Sequence, residues 1–170
     1  MTGVATLYRH TRAAKAEVCA TPAVLFDYLD DAARLGAHME KPSMMMMGGR
    51  MTYAFDEAEG RATGSVIKMG GAMLGIKLSV EEIVTEYDPP RRKVWETEGH
   101  PRILIMGRYR MGFEITPTGD ASSLRIFIDY DFPEGFGRRV LGTLLAPLYA
   151  RWCVRRMADD AKQHFARLPT

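Results

Sequence analysis

The first part of the chain alternates apolar and polar residues in the way that a strand with one buried face does. Ala14 and Ala16 alternate with Lys15 and Glu17, and a period of two places the apolar side chains on one face of a sheet. The pattern predicts a first strand over about residues 4–20.

Two short helices are expected directly after this strand. Thr21 is a favourable N-cap, and Pro22 suits the first helical position. Apolar residues then recur at helical spacing up to Asp30, which can itself begin another short helix that Gly36 weakens. The sequence therefore predicts two short helices within residues 22–39.

A sheet is predicted over residues 49–132, where segments of strand-like alternation are separated by turn-forming residues. In the longest segment the alternation slips at Glu81 and Glu82, which predicts a β-bulge. Residues 135–166 have the pattern of one long helix interrupted only by Pro147. The expected strands are Met51–Phe55, Ala62–Met69, Leu74–Tyr87, Arg92–Thr97, Tyr109–Thr116 and Leu124–Phe132.

Composition narrows the class of protein. The chain is long enough for one core and contains no linker, so residues 1–170 are expected to form one domain. A net charge of +2 gives no reason to expect a nucleic-acid partner. Cys19 and Cys153 are far apart, and no histidine pair has metal-ligand spacing. We therefore expect no metal and no cofactor, and the lack of a secretory signal pattern predicts a cytoplasmic protein.

Three stretches of the sequence resemble the START-like (SRPBCC) superfamily, which has the Bet v 1-like helix-grip fold. They are AEVCATPAVLFDYLDD, TEYDPPRRKVWETEG and YRMGFEITPTGDASSLRIFIDYDFP, and the chain resembles bacterial members of the polyketide cyclase/dehydrase type. The resemblance implies an α+β fold with a curved antiparallel sheet of about six to seven strands. It also implies two short helices after strand 1, a long C-terminal helix across the sheet, and a cavity between them for a small apolar or amphipathic molecule.

The sequence indicates where such a cavity would lie. The sheet-facing side of the last helix begins with small side chains, which would leave a void of a few hundred cubic ångströms at most. Methionines suit an adaptable apolar lining. The alternatives are that large sheet residues fill the void and that the methionines are ordinary core residues. The expected ligand-binding residues are Met39, Met51, Tyr53, Phe55, Met69, Trp95, Met111, Phe113, Ile126, Thr143, Ala146, Pro147, Ala150 and Val154.

Catalytic chemistry has weaker support in the sequence. Relatives of this fold include cyclases that position a polyketide with hydroxyl and carboxyl groups, which makes a proton-transfer enzyme in the same cavity the first alternative. Each candidate also has an ordinary structural explanation, as a core tyrosine, a solvent-facing glutamate or a lone histidine. The candidate residues are Tyr53, Glu96, Glu98, His38 and Tyr109.

The last helix also has an apolar stripe on the side where a docked helix should be polar. Arginines surround this stripe, and the sequence has no acidic residue between Gly135 and Ala158. It predicts either a peripheral contact with a membrane or another partner, such as a second copy in a homodimer. The alternatives are that Pro147 rotates the stripe into the cavity, or that the early part is a separate helix. The residues concerned are Leu141, Leu144, Leu145, Leu148, Trp152, Arg138, Arg139, Arg151, Arg155 and Arg156.

These observations make binding of a small hydrophobic or amphipathic ligand between the sheet and the C-terminal helix the leading hypothesis for the function.

Overall fold

The computed structural model describes residues 8–35, 50–73 and 75–166, without the side chains of Ala33, Arg50 and Met73. Within these ranges the chain forms seven strands and three helices. The predicted α+β class is confirmed. The elements are β1 (His10–Val18), α1 (Pro22–Asp30), α2 (Ala32–Leu35), β2 (Arg50–Phe55), β3 (Val66–Met73), β4 (Ile76–Asp88), β5 (Arg92–Arg102), β6 (Tyr109–Thr118), β7 (Ala121–Tyr130) and α3 (Phe136–Ala166).

The strands form one antiparallel sheet in the order β1-β7-β6-β5-β4-β3-β2. Only β1 and β7 are neighbours that do not follow each other in sequence, and they pair from His10 opposite Tyr130 to Val18 opposite Ser122. The first and last strands are thereby held together, and α3 packs on this pair. The helix and sheet together form the predicted helix grip.

Small side chains let α3 approach the sheet closely. Ala146, Ala150 and Val154 are completely buried in the core, and α3 contacts β1 and β7. Small residues at a helix contact shorten the distance between the packed backbones, and here they fill the contact instead of leaving a void. The cavity therefore lies elsewhere along the sheet.

Several predicted boundaries are wrong. The predicted strand Ala62–Met69 ends before Gly70, yet Gly70 and Gly71 pair within β3, with Ser79 and Leu78 of β4. The predicted strand Arg92–Thr97 is too short, because β5 continues through His100 and Pro101 to Arg102. At Gly70 and Gly71 the turn signal in the sequence fails because both residues pair with β2 on one side and with β4 on the other, which holds them in extended backbone.

The predicted irregularity in the longest strand is only partly correct. Register shifts between β4 and β5 lie on both sides of Glu82, between Ser79 and Glu81 and between Val84 and Glu86. The inward alternation itself does not slip, because buried Leu78, Val80, Glu82 and Val84 share one face. Glu82 thus lies on the face of β4 that points into the core.

The C-terminal helix continues through Pro147 as one element from Phe136 to Ala166. The alternative of a separate short helix in its first part is therefore wrong. Within the described residues, no helix has the length and apolar content that crossing a membrane requires. Of the second predicted short helix, only Ala32–Leu35 is seen, because residues 36–39 lie outside the described ranges. The same is true of the predicted start of the first strand at residues 4–7.

Candidate functional site

An apolar cavity of about 110 Å³ lies between the inner face of the sheet and one side of α3. Strands β2 to β7 supply most of its wall, and α2, α3 and residues 103–106 complete it. This volume is of the same order as the ~150 Å³ cavity that holds a benzene ring in another protein. The wall consists of Ala32, Leu35, Met51, Tyr53, Ile67, Met69, Leu78, Val80, Glu82, Lys93, Trp95, Ile103, Leu104, Ile105, Met106, Tyr109, Met111, Ile128, Tyr149, Cys153 and Met157.

One carboxyl group, that of Glu82, stands in this apolar wall. Glu82 is only 4% exposed, and the Tyr109 hydroxyl donates a hydrogen bond to its Oε1. Burial raises the pKa of Glu82 to about 7, against opposing effects of hydrogen bonds from Tyr109 and Trp95 and of the positive charge on Lys93. Glu82 can therefore exchange a proton near neutral pH.

The second charged group in the wall, Lys93, already has a partner. Its Nζ lies 2.6 Å from Asp30 Oδ1, and both side chains are buried. The Tyr87 hydroxyl donates to the other oxygen of Asp30 at 2.8 Å. Burial lowers the pKa of Lys93, while Asp30 opposes that shift. The pair joins the end of α1 to β5 beneath the cavity.

Burial also keeps Tyr109, Tyr149 and Cys153 in the wall uncharged near neutral pH. Burial raises the pKa values of Tyr109 and Tyr149 well above the ordinary value for tyrosine. It also raises the pKa of the Cys153 thiol to about 12, so this cysteine is not an activated nucleophile. In the described part of the chain, no cluster of His, Cys, Asp or Glu could hold a metal ion.

The structure brings some of the predicted ligand-binding residues together and separates others. Met51, Tyr53, Met69, Trp95 and Met111 lie in the cavity wall. Phe113 and Ile126 are buried core residues outside the wall, and Phe55 is exposed.

The helix residues predicted to face the cavity are displaced from it. Ala146, Ala150 and Val154 lie in the helix–sheet contact, and Pro147 is half-buried outside the wall. Thr143 is exposed and donates its hydroxyl to the Arg139 carbonyl at 2.8 Å. The side of α3 that packs on the sheet is therefore different from the side that lines the cavity.

Of the catalytic candidates, Tyr53 and Tyr109 lie in the wall. Glu96 and Glu98 do not, since Glu96 is half-buried, accepting a hydrogen bond from Tyr8 at 3.4 Å, and Glu98 is exposed. His38 and Met39 lie outside the described residues.

Sequence analysis missed Glu82, Lys93, Tyr149, Cys153 and Met157 as wall residues. A signal for Glu82 was present, because it continues the apolar phase of its strand. Tyr149, Cys153 and Met157 recur at spacings of four on α3, along a line beside the small residues that pack on β1 and β7.

The Leu141, Leu144 and Leu148 side chains are exposed and absent from the cavity wall. The alternative in which Pro147 rotates the stripe into the cavity is therefore wrong. Leu145 and Trp152 are half-buried at its margin, and Arg151 and Arg155 are exposed beside it.

Comparison with solved structures shows the same architecture at low sequence identity. TTHA0849 from Thermus thermophilus is 13% identical with a TM-score of 0.64, over 92% of this chain and 97% of that one. Norcoclaurine synthase from Thalictrum flavum, in complex with dopamine and hydroxybenzaldehyde, is 13% identical with a TM-score of 0.64, over 95% and 88%. Ara h 8.0201 is 12% identical with a TM-score of 0.60, over 94% and 99%. At these identities the likeness shows the fold alone.

No curated protein matches the chain significantly. The family model described as polyketide cyclase / dehydrase and lipid transport matches residues 9–165, which include every strand of the sheet and nearly all of α3. With the helix grip and the apolar cavity, this match places the chain in the polyketide cyclase / dehydrase and lipid transport family.

Proposed function

We propose that this protein binds a small, predominantly apolar molecule in the cavity between the sheet and α3. The observation that supports the proposal is the wall of aliphatic, methionine and aromatic side chains around a cavity of about 110 Å³. Transfer of apolar surface from water into such a wall is favourable by roughly 25 cal/mol per Å². A cavity of this size suits a molecule of about one small ring, since pockets for drug-sized ligands usually exceed ~300 Å³.

Methionine methyl groups in the wall allow a direct test with toluene as the probe. Met51, Met69, Met106, Met111 and Met157 surround the cavity, so added toluene should shift their ¹³C-methyl NMR signals in a saturable manner. Native mass spectrometry of the freshly purified protein, compared with a denatured sample, would report any molecule retained from the producing cells.

A matched pair of variants tests the location. Val80 lies in the wall, so Val80→Phe should fill the cavity and weaken toluene binding at least about tenfold. Val24 is 52% exposed on α1, so Val24→Phe should leave the affinity unchanged. Equal affinity for toluene in both variants, with both folded by circular dichroism, would contradict this location.

Proton transfer in the same cavity is the second candidate function. Glu82 and Tyr109 are in hydrogen-bond contact inside the wall, and Glu82 titrates near neutral pH, as a general acid or base requires. An enzyme would convert a polyketide-like carbonyl substrate, and Glu82→Gln would abolish turnover while sparing binding. Loss of binding and turnover in parallel would indicate a role of Glu82 in recognition alone.

A third candidate, contact with an anionic membrane, is supported by the outer face of α3. Phe136, Leu144 and Leu148 are 89%, 66% and 60% exposed, and Val140 continues the same line of residues spaced by four. Arg151 and Arg155 fall on the same side at helical spacing. An apolar helix face with adjacent arginines is typical of helices that lie in the headgroup region of a bilayer.

Charge favours a bilayer over a second copy of the chain as the occupant of this face. Arg138, Arg139, Arg151 and Arg155 form no ion pair with any described carboxylate, and no acidic residue lies between Gly135 and Ala158. A homodimer through this face would bury arginines without acidic partners, which is unfavourable. At an anionic membrane, attraction to the headgroups would instead stabilise binding by about 1 kcal/mol for each arginine.

Vesicle sedimentation tests this candidate. The protein should bind vesicles of equimolar phosphatidylcholine and phosphatidylglycerol more tightly than pure phosphatidylcholine, and salt should weaken binding. Leu144→Glu and Leu148→Glu should abolish it, while Gln163→Glu, on the exposed distal part of α3, should not. Equal binding by all variants would contradict the proposal. A concentration-dependent dimer abolished by Leu148→Glu would assign the face to self-association instead.

A further inference from the structure

The cavity wall contains a pair of side chains, Glu82 and Tyr109, whose mutual hydrogen bond leaves one O–H group of the pair unused when Glu82 is uncharged. Tyr109 and the uncharged form of Glu82 together carry two O–H protons, but the contact between Tyr109 Oη and Glu82 Oε1 uses only one. The Trp95 side chain also hydrogen-bonds Glu82, and an indole N–H can only donate. Neither Glu82 nor Tyr109 donates from its side chain to any further acceptor among the described residues.

We propose that the Glu82–Tyr109 pair, with Glu82 uncharged, donates this second proton in a hydrogen bond to a carbonyl oxygen of the ligand. The protein would then select small apolar ketones or aldehydes over hydrocarbons of the same shape. The inference rests on the proposed binding of an apolar molecule in this cavity.

Burial provides the physical reason for this preference. An O–H group in an apolar wall that lacks an acceptor loses its hydrogen bonds to water without replacement. A ligand with one carbonyl oxygen restores the bond, while the rest of its surface contacts Val80, Leu78 and Met69. A ligand without an acceptor leaves the donor unpaired. The carbonyl should therefore improve affinity roughly fivefold to tenfold.

The charged groups around the cavity favour a neutral ligand over a cation. Lys93 lies in the same wall, and its charge is balanced by Asp30 at 2.6 Å. Arg61, at 4.0 Å from Asp30, adds a second positive charge on that side. A cationic ligand would face these charges in a low-dielectric site.

Three further side chains with titratable groups face the pair from α3 and β2. Tyr149 and Cys153 on α3 both have pKa values raised by burial, and Tyr53 on β2 also lies in the wall. Glu82, with its pKa near 7, is therefore the group whose titration changes the donor capacity of the cavity near neutral pH. Ionisation of Glu82 removes one of the two O–H protons.

Three probes of one shape test the inference, with the wall methionine methyl groups as NMR reporters. Acetophenone carries the carbonyl, ethylbenzene lacks it and benzylamine carries a cation. At about pH 5.5 wild-type protein should bind acetophenone roughly fivefold to tenfold more tightly than ethylbenzene. At about pH 8.5, where Glu82 is ionised, this ratio should fall towards one.

Two substitutions of Glu82 separate the hydrogen bond from the cavity itself. Glu82→Gln is always uncharged and keeps a donor, so the preference for acetophenone should persist at both pH values. Glu82→Leu removes the donor, so it should bind ethylbenzene at least as well as wild type and show no preference for acetophenone. Measuring each binding constant at both pH values gives the ratios directly.

The outcomes that overturn the inference differ from those that overturn the proposed function. If ethylbenzene and acetophenone both bind, but with equal affinity at about pH 5.5, the cavity binds apolar molecules and only the carbonyl inference fails. Tighter binding of benzylamine than of acetophenone at both pH values would also overturn it, in favour of an ion pair. If none of the probes binds wild-type protein or Glu82→Leu, the proposed function fails as well.

Discussion

The buried Lys93–Asp30 ion pair shows how a single polar contact connects the first helix to the sheet. Asp30 ends α1, and its carboxylate receives Lys93 Nζ at 2.6 Å and the Tyr87 hydroxyl at 2.8 Å. Both charges have been removed from water, and their mutual attraction with the extra hydrogen bond offsets that cost. Loss of Asp30 would leave the Lys93 charge buried without its carboxylate, and loss of Lys93 would leave Asp30 with only the longer contact to Arg61 at 4.0 Å.

Replacing one partner of this pair should therefore destabilise the protein strongly. Lys93→Met should reduce the free energy of unfolding by about 3–5 kcal/mol, because it leaves the Asp30 carboxylate buried beside an apolar chain. The double variant Asp30→Asn with Lys93→Met should recover much of this loss, since both charges are then absent. Urea denaturation of wild type, of Lys93→Met, of Asp30→Asn and of the double variant measures the coupling. Losses that simply add in the double variant would show that the two side chains do not interact.

Tyr109 controls the protonation of Glu82 through its hydrogen bond to Oε1. This bond lowers the pKa of Glu82 against the larger effect of burial, which raises it. Tyr109→Phe should therefore move the titration of Glu82 upward from about 7. The ¹³Cδ chemical shifts of the glutamate carboxyl groups, followed from acidic to alkaline pH, report that midpoint. A midpoint that stays the same or falls would contradict the assignment of the hydrogen bond.

The same residues show what sequence reasoning can reach at this scale. Tyr53, Tyr109, Trp95 and three wall methionines were among the residues named from the sequence, from strand faces, from the suitability of methionine for an apolar lining and from the resemblance. Glu82 was missed because a charged residue in an apolar phase was interpreted as a break in the alternation. The alternation along β4 places Glu82 on the buried face. Its role, however, depends on its burial in the folded protein and on its contact with Tyr109, which lies in a strand distant in sequence.

At the scale of elements, the contact between α3 and the segment before β6 is set by one glycine. A Cβ atom at Gly142 would lie 2.6 Å from Pro133 Cδ and 2.8 Å from the Ile105 carbonyl oxygen. The Ile105 contact involves main-chain atoms, which cannot be moved by a rotamer change. Since residues 103–106 form part of the cavity wall, Gly142 couples the helix position to the cavity.

A pair of glycine substitutions in α3 isolates this contact. Gly142→Ala should destabilise the protein by about 1–3 kcal/mol through overpacking and should weaken toluene binding, because Ile105 must shift. Gly137→Ala meets no atom within 4 Å and should be neutral or slightly stabilising, because alanine is the better helix former. Thermal unfolding and the toluene titration measure both effects. Similar stability of the two variants would contradict the close packing at Gly142.

The sequence predicted which segments form helices and which form strands, but it did not predict which side of α3 faces which strands. The 3.6-residue period identified α3 and showed that its small residues face the sheet. It could not show which strands they would meet. The first strand, β1, pairs with the last strand, β7, and this contact is far apart in the sequence. The small residues of α3 pack on these two strands. The neighbouring line of residues on α3, formed by Tyr149, Cys153 and Met157, faces the cavity.

For the molecule as a whole, the buried Glu82 makes stability depend on pH in an uncommon direction. Most carboxyl groups that matter for stability have lowered pKa values, as hydrogen bonds from Ser65 and Val66 produce at Asp56, and their contribution is lost in acid. Glu82 has a raised value, about 7 in the folded protein against an ordinary 4.5. Between these two values the folded state therefore binds more protons than the unfolded state.

The free energy of unfolding should accordingly decrease as the pH rises through this window. The stabilisation is complete below 4.5, where Glu82 is protonated in both states, and is lost as the pH passes about 7. The loss approaches about 3 kcal/mol on the alkaline side, because each pKa unit corresponds to about 1.4 kcal/mol. Glu82→Gln should remove this decrease and make the protein more stable than wild type near about pH 8, whereas Glu98→Gln, an exposed change on β5, should leave it in place. Urea denaturation at a series of pH values measures these curves. A wild-type curve that stays level across the window, or one that Glu82→Gln leaves unaltered, would show that Glu82 is not held uncharged by the fold.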